Sequence, residues 1–305
     1  MTDRIRDDLA AQLGRPIKSV EPIATGHSGF TYFVDLADGA RYVLRLPPAG
    51  ARIAGPADVV RQGRIMAALN GAGLPVPAVP AMSDEPVVDG RPFVLMDAVD
   101  GSRIEETSKH ASPDEIAESA VTVLKRLHAV PREHTGIGEE DAVTLQAEMM
   151  RWAWLMQRAP EELTARAGEL GGLLAADVPE PREPALVHGD YHYGNMLFRG
   201  AEVVAVLDWE IAQIGQPLLD LGCLAVVSGR HPGDWPEART DHVLELYGAG
   251  MDEMRWYLGM SMYKYASIFG YNLMLHRRGK RPDPMYEGMT ETITDLIDEG
   301  IKLLS

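Results

Sequence analysis

The sequence predicts an α+β fold, a small antiparallel sheet followed by a larger, mainly helical region. Three observations carry this. Residues 20–46 alternate apolar and polar side chains between turn signals. Beyond Ser112, apolar residues recur at three–four spacing. Two short apolar runs, 185–187 and 203–207, bracket a polar loop. The chain has 305 residues, 46% hydrophobic and 24% charged, which is an ordinary globular composition at a length that allows two lobes.

Taken in order, residues 3–13 read as a short amphipathic helix. A strand over 20–24 follows, then the turn Thr25-Gly26-His27-Ser28-Gly29. Strands over 30–36 and 41–46 are joined by Ala37-Asp38-Gly39, and Pro47-Pro48 ends the meander. A helix over 57–72 places Val59, Gln62, Met66 and Leu69 on one face. Gly73-Leu74-Pro75-Val76-Pro77 breaks it, and a hairpin follows over 85–88 and 91–96 around Asp89-Gly90. We place a hinge at 98–101, between an N-terminal lobe (1–97) and a C-terminal lobe (102–305). Ser112-Pro113-Asp114-Glu115 reads as a capping box with proline at the first helical position. Ile116, Ala120, Val123, Leu124 and Leu127 continue that helix as its apolar stripe. Helices are expected over 145–174, 220–228, 236–248, 252–277 and 284–303, with the aromatic stretch 151–156 and the tyrosines of 256–277 read as packing.

Composition excludes some functions. A net charge of −16 argues against nucleic acid as a partner. The single cysteine, Cys223, allows no intrachain disulfide and sits in an apolar run. No apolar segment approaches the ~20 residues that span a bilayer. The first residues carry charge rather than a signal-peptide core, so the expected location is cytoplasmic.

The chemistry concentrates in Ala185-Leu186-Val187-His188-Gly189-Asp190-Tyr191-His192-Tyr193-Gly194-Asn195 and in Leu207-Asp208-Trp209-Glu210. Asp190, Asn195 and Asp208 are expected at the ends of strands forming one small hairpin. An Asp and an Asn four residues apart, followed by a strand-terminal Asp, match the needs of phosphoryl transfer. One carboxylate orients a hydroxyl and accepts its proton, and two oxygen-bearing groups hold Mg²⁺. Asp190 is then the base, and Asn195 and Asp208 are the metal ligands. His188 is expected to be a hydrogen-bonded scaffold; His192 contacts substrate or holds the loop. One His-x-Asp-x-His is too little for zinc, and no Gly-x-Ser-x-Gly elbow supports a serine hydrolase. Upstream, Gly26, Ser28 and Gly29 form either a phosphate-covering turn or a plain one, since glycine lets backbone N–H groups approach phosphates. On the third strand, where kinases usually carry Lys for the α- and β-phosphates, this chain has Arg45, read either as that phosphate-holding cation or as an edge-strand arginine pointing to solvent. Glu210 ranks below Asp208, as a group near the metal or a substrate contact.

The segment His188-Gly189-Asp190-x-His192-x-x-Asn195 with Leu207-Asp208-Trp209-Glu210 resembles the signature of the aminoglycoside phosphotransferase family. Leu44-Arg45-x-Pro47-Pro48 is similar to the branch that includes the kinase-like domain fused to some acyl-CoA dehydrogenases. The resemblance implies a protein-kinase-like two-lobed fold, with a small antiparallel β lobe and a larger helical lobe. It further implies ATP or GTP as co-substrate, Mg²⁺, a small-molecule hydroxyl acceptor, and purine contacts from the linker at Met96 and Ala98. It makes Asp220 a support for the catalytic loop and favours the phosphate-holding role for Arg45. It also marks a departure. The family usually carries Glu where this chain has Gln62, which leaves three outcomes open: a hydrogen bond from Arg45 to the Gln62 carbonyl, a different phosphate clamp, or weaker catalysis. The alternative function is a kinase-like protein that binds nucleotide without efficient turnover.

Overall fold

The computed structural model describes residues 2–23, 30–228 and 239–305. The chain divides into two compact units, residues 1–140 with 188–213 and residues 141–187 with 214–305. The expected hinge at 98–101 lies within the first unit.

In the first unit, helix α1 (Thr2–Leu13) precedes strands β1 (Ile17–Pro22), β2 (Phe30–Leu36) and β3 (Arg41–Leu46). Helix α2 (Val59–Gly71) leads to β4 (Ala81–Val88) and β5 (Arg91–Asp97). The five strands form one antiparallel sheet in the order β1-β2-β3-β5-β4. Period-two alternation decides which side chains go inside. Tyr32, Val34 and Leu36 of β2, Leu44 and Leu46 of β3, and Phe93 and Leu95 of β5 pack with Ile5 and Leu9 of α1 in one buried cluster. Val94 points to the other face, against α2, where Gly63 lacks a side chain. A Cβ there lies 2.8 Å from Val94 Cγ2, so glycine sets how closely helix and sheet approach. Strand β3 is therefore central, and Arg45 sits on it opposite Thr31 and Val94.

The first unit continues with the single turn α3 (Ile104–Thr107) and with α4 (Pro113–His128). The expected capping box is formed. The Ser112 hydroxyl accepts from Glu115 N, and Glu115 Oε2 accepts from Ser112 N at 3.0 Å. The Ser112 backbone N–H, joined by its hydroxyl donating at 2.8 Å, holds the Glu115 carboxyl below its usual range. Replacing Ser112 with Ala removes one side of this pair and is expected to lower stability by about 1 kcal/mol, read as a lower urea midpoint.

The second unit opens with α5 (Leu145–Met156), α6 (Glu161–Thr164) and α7 (Ala167–Ala176). One helix was expected over 145–174; three are found. Pro160 has no N–H to give to a helix and disfavours helical geometry at the residue before it, so the chain breaks there despite the apolar periodicity on both sides. Strand β6 (Ala185–Val187) follows, and the chain returns to the first unit for the hairpin β7 (Met196–Arg199) and β8 (Glu202–Val206). Strand β9 (Gln213–Gly215) pairs with β6. The single hairpin expected around the polar loop is therefore two separate strand pairs. Asp190 follows β6, whereas Asn195 and Asp208 flank β7 and β8.

Helices α8 (Leu218–Ser228), α9 (Thr240–Tyr247), α10 (Met251–Arg277) and α11 (Thr290–Leu304) complete the second unit. A 3-10 turn at Pro284–Met289 replaces the first part of the helix expected over 284–303. The 27-residue α10 packs against α5, α8 and α11. Its tyrosines Tyr257, Tyr263 and Tyr265 are buried, as the packing reading expects. Trp152 is buried with Nε1 donating to Glu148 at 2.6 Å, while Trp154 is exposed beneath the Arg158 guanidinium. No described helix is long and apolar enough to cross a membrane.

Candidate active site

Gly189 turns the chain after β6 with φ +83°. His188, just before it, is fully buried. Its Nδ1 accepts the Asp190 backbone N–H at 3.2 Å, so its proton is on Nε2, which donates to the Leu207 carbonyl at 2.8 Å. The ring also packs against Trp209, with centroids 4.6 Å apart. His188 thus ties the loop bearing Asp190 to the segment bearing Asp208, which is the scaffold role expected for it.

Two side chains converge on the Asp190 carboxylate. Asn195 Nδ2 donates to Asp190 Oδ2 at 3.2 Å and to its backbone carbonyl at 2.9 Å. His192 Nδ1 accepts the Gly194 N–H at 3.1 Å, which places the His192 proton on Nε2, 3.3 Å from the same Oδ2. Of the two roles open to His192, the structure shows the loop-holding one.

Asn195 and Asp208 are held by the β7–β8 hairpin, with Leu207 N donating to the Asn195 carbonyl at 2.8 Å. Strand β8 ends at Val206, and Asp208 adopts φ +64°, a left-handed conformation uncommon outside glycine and tolerated best by Asp and Asn. The buried Trp209 anchors this turn through Nε1 to the Val206 carbonyl at 3.1 Å. Asp208 and Glu210 then both reach Arg45. Arg45 Nη1 donates to Asp208 Oδ1 at 3.1 Å and Nη2 to Glu210 Oε2 at 2.9 Å. The Arg45 side chain is only 12% exposed, so its charge is answered by these two carboxylates at close range.

Of the outcomes left open at position 62, the Gln62–Arg45 hydrogen bond is not formed. Gln62 is buried on the packed face of α2, as the helical spacing predicts, but its Nε2 donates to the Pro56 carbonyl at 3.0 Å. Pro56 lies in the 3-10 turn Gly55–Ala57, just before α2. Met96 lies in β5, paired with Val43, and Ala98 follows it with its N–H 3.4 Å from the Arg41 carbonyl. Gly26, Ser28 and Gly29 lie outside the described residues. Asp190, Asn195, Asp208 and Arg45 all belong to the first unit, although 163 positions separate Arg45 from Asp208.

Sequence reasoning missed the Glu210–Arg45 pair and the His192–Asp190 contact. The first had a faint signal, an acid two residues beyond Asp208. The second depends on loop geometry that residue spacing does not encode. Among the described residues, no group of three or more His, Cys, Asp or Glu is arranged to hold a metal ion.

A sequence profile described as APH, phosphotransferase enzyme family, matches residues 19–257. Acyl-CoA dehydrogenase family member 10 of Mus musculus is 34% identical over 214 residues, covering 66% of this chain and 20% of that protein. The chain thus spans about a fifth of the length of that relative. Among solved structures, a Ralstonia eutropha protein provisionally termed an aminoglycoside phosphotransferase superposes with a TM-score of 0.81 at 22% identity, covering 98% of this chain and 97% of that one. A thermostable mutant of aminoglycoside phosphotransferase APH(4)-Ia, bound to ADP and hygromycin B, gives a TM-score of 0.68 at 16% identity and 98% coverage of both chains. These superpositions show the kinase-like fold.

Proposed function

Because this chain belongs to the phosphotransferase enzyme family, we propose that it transfers the γ-phosphoryl group of ATP or GTP to a hydroxyl of a small molecule, with Mg²⁺ and with Asp190 as the base. The observation that carries this is the constellation itself. Within one compact unit, Asp190 is oriented by Asn195 and His192, and Asp208 lies against Arg45. Asp190 orients the acceptor hydroxyl and takes its proton. Arg45 supplies fixed positive charge and a donor fork for the nucleotide phosphates. In this reading Gly26, Ser28 and Gly29, which lie outside the described residues, contact those phosphates, and the linker at Met96 and Ala98 borders the purine.

The donor set fits Mg²⁺. With Nδ2 of Asn195 fixed on Asp190, the amide oxygen is the end presented away from Asp190, and Asp208 adds a carboxylate. Two protein oxygens, completed by phosphates and water, are what a nucleotide-bound Mg²⁺ takes. When bound, the ion supplies charge neutralisation on the transferring phosphoryl group.

The relative with the dehydrogenase name favours a metabolic hydroxyl acceptor, hydroxyacyl thioesters among them, over an antibiotic. The hygromycin B complex keeps antibiotics in the test. The test is a coupled ADP- and GDP-release screen of the purified protein against hydroxyacyl-CoA compounds, sugars, amino alcohols, aminoglycosides and macrolides. Acceptor-dependent release is the expected result. Mg-nucleotide binding with no release for any acceptor class would instead support the nucleotide binder.

A further inference from the structure

Kinase-like sites need a carboxylate to hold the phosphate-binding cation of the third strand, and this chain lacks one at position 62. We infer that Glu210 supplies it: the Arg45–Glu210 pair positions Arg45 for the nucleotide phosphates, in place of a pair reaching from α2. The inference rests on the proposed reading of Arg45 as a phosphate-binding residue.

The argument begins with what residue 62 does. Gln62 carries no charge, and one of its Nε2 hydrogens is donated to the Pro56 carbonyl. Arg45 points instead to the segment after β8. Its guanidinium is covered to 12% exposure, where a cation without a carboxylate partner is costly. Two acids meet it. Asp208 is 38% exposed and 3.1 Å away; Glu210 is 22% exposed and 2.9 Å away. Asp208 is also the carboxylate that suits Mg²⁺. A carboxylate whose charge is shared with a metal is the weaker partner of Arg45, and Glu210, the closer and more covered of the two, is the stronger.

This explains why the strand carries arginine. A guanidinium offers separate N–H groups in a rigid fork, so Nη1 meets Asp208 while Nη2 meets Glu210. A lysine ammonium is a single point charge and does not reproduce that geometry. The two departures at 45 and 62 then become one change. The partner acid has moved from α2 to the end of β8, and the cation has become the one that reaches it. The backbone turn at Asp208 (φ +64°) is part of the same device, because Asp208 and Glu210 reach one guanidinium although β8 has ended at Val206. Glu210 is thus a positioning residue, acting through Arg45.

The test measures binding rather than turnover alone. Dissociation constants of Mg-AMP-PNP and Mg-GMP-PNP are determined by calorimetry for the wild type, Glu210→Gln, Arg45→Lys, the double variant and Gln62→Ala, with kcat and nucleotide KM measured where turnover is found. Glu210→Gln is expected to weaken nucleotide binding roughly 10-fold, as loss of a partly covered charge-assisted bond does. The double variant is expected to be no worse than the weaker single one, because both disrupt one pair. Gln62→Ala should bind nucleotide like the wild type. Should Glu210→Gln fail to fold, Glu210→Asp is read in its place, with intermediate weakening expected.

The failures are distinguishable. Wild-type affinity in Glu210→Gln, with Arg45→Lys weakened, overturns the Glu210 inference alone. Wild-type affinity in Arg45→Lys overturns the claim that the guanidinium fork is needed to reach Glu210, and no binding by the wild type overturns the proposed function; the inference falls with either. Additive effects in the double variant, with a raised Mg²⁺ requirement in Glu210→Gln, make Glu210 a metal ligand and overturn the pair. Equal weakening by Gln62→Ala returns the partner role to α2.

Discussion

Asp190→Asn is expected to lower kcat by about 10²- to 10⁴-fold while leaving the nucleotide KM close to that of the wild type. The substitution keeps the shape and removes the charge. Its effect follows from what surrounds the side chain. Oδ2 of Asp190 faces two donors, Asn195 Nδ2 and His192 Nε2. An asparagine at 190 must turn its carbonyl oxygen toward them, since its amide nitrogen there would set donor against donor. The NH₂ group is then delivered to the position of Oδ1. It can neither accept the proton of an acceptor hydroxyl nor hold that hydroxyl in the same orientation. A loss confined to KM, with kcat intact, would sink the assignment of Asp190 as base. Steady-state kinetics on the first acceptor found by the release screen decides it, with Mg-AMP-PNP affinity as the check that the nucleotide site is undisturbed.

The grouping of the candidate site's residues was legible because they are close in sequence. Asp190 and Asn195 share one loop, and Asp208 follows the next strand but one, so spacing alone brings the three into view. The sheet was legible for a similar reason. Tyr32, Val34 and Leu36 share one face by period two, opposite Thr31, Phe33 and Asp35, and the structure buries those three. The start of α4 was written in Ser112, Pro113 and Glu115, which act within a single turn. What escaped depends on partners far along the chain. Strand β6 has three residues and nothing local to name β9 as its neighbour. Gln62 was assigned to Arg45 by family pattern, whereas its hydrogen bond is to Pro56, six residues back. Arg45 and Glu210 meet across 165 positions, on a turn that exists only because Asp208 takes a left-handed conformation. The helix expected over 145–174 failed differently. Its periodicity was real on both sides of Pro160, and a pattern of apolar residues carries no record of a missing N–H.

Gly189→Ala is expected to cost about 2–5 kcal/mol and to reduce activity through Asp190, although it adds only one methyl group. Two effects combine. At φ +83° an L-residue pays about 1–2 kcal/mol for its Cβ alone. That Cβ also lies 2.7 Å from the Ile211 carbonyl oxygen and 3.2 Å from Ile211 Cγ1, so backbone rather than a flexible side-chain tip has to move. The loop relieves the contact by shifting residues 189 and 190. That shift strains the bond from Asp190 N to His188 Nδ1 and the two donors on the carboxylate. A displacement of about 1 Å at a group that positions a reactant is enough to lose roughly 100-fold in rate. Gly200→Ala separates the two effects. Gly200 sits at φ +59° in the β7–β8 turn, and its added Cβ meets nothing within 4 Å. It should cost only the conformational share, about 1–2 kcal/mol, with catalysis unchanged. Urea denaturation of both variants, with kcat beside it, gives the comparison. Equal stability losses would mean that Ile211 yields freely. A larger loss in Gly189→Ala together with a fall in kcat would show that the close approach of residues 189 and 211 holds the Asp190 loop in register with the segment carrying Asp208 and Glu210.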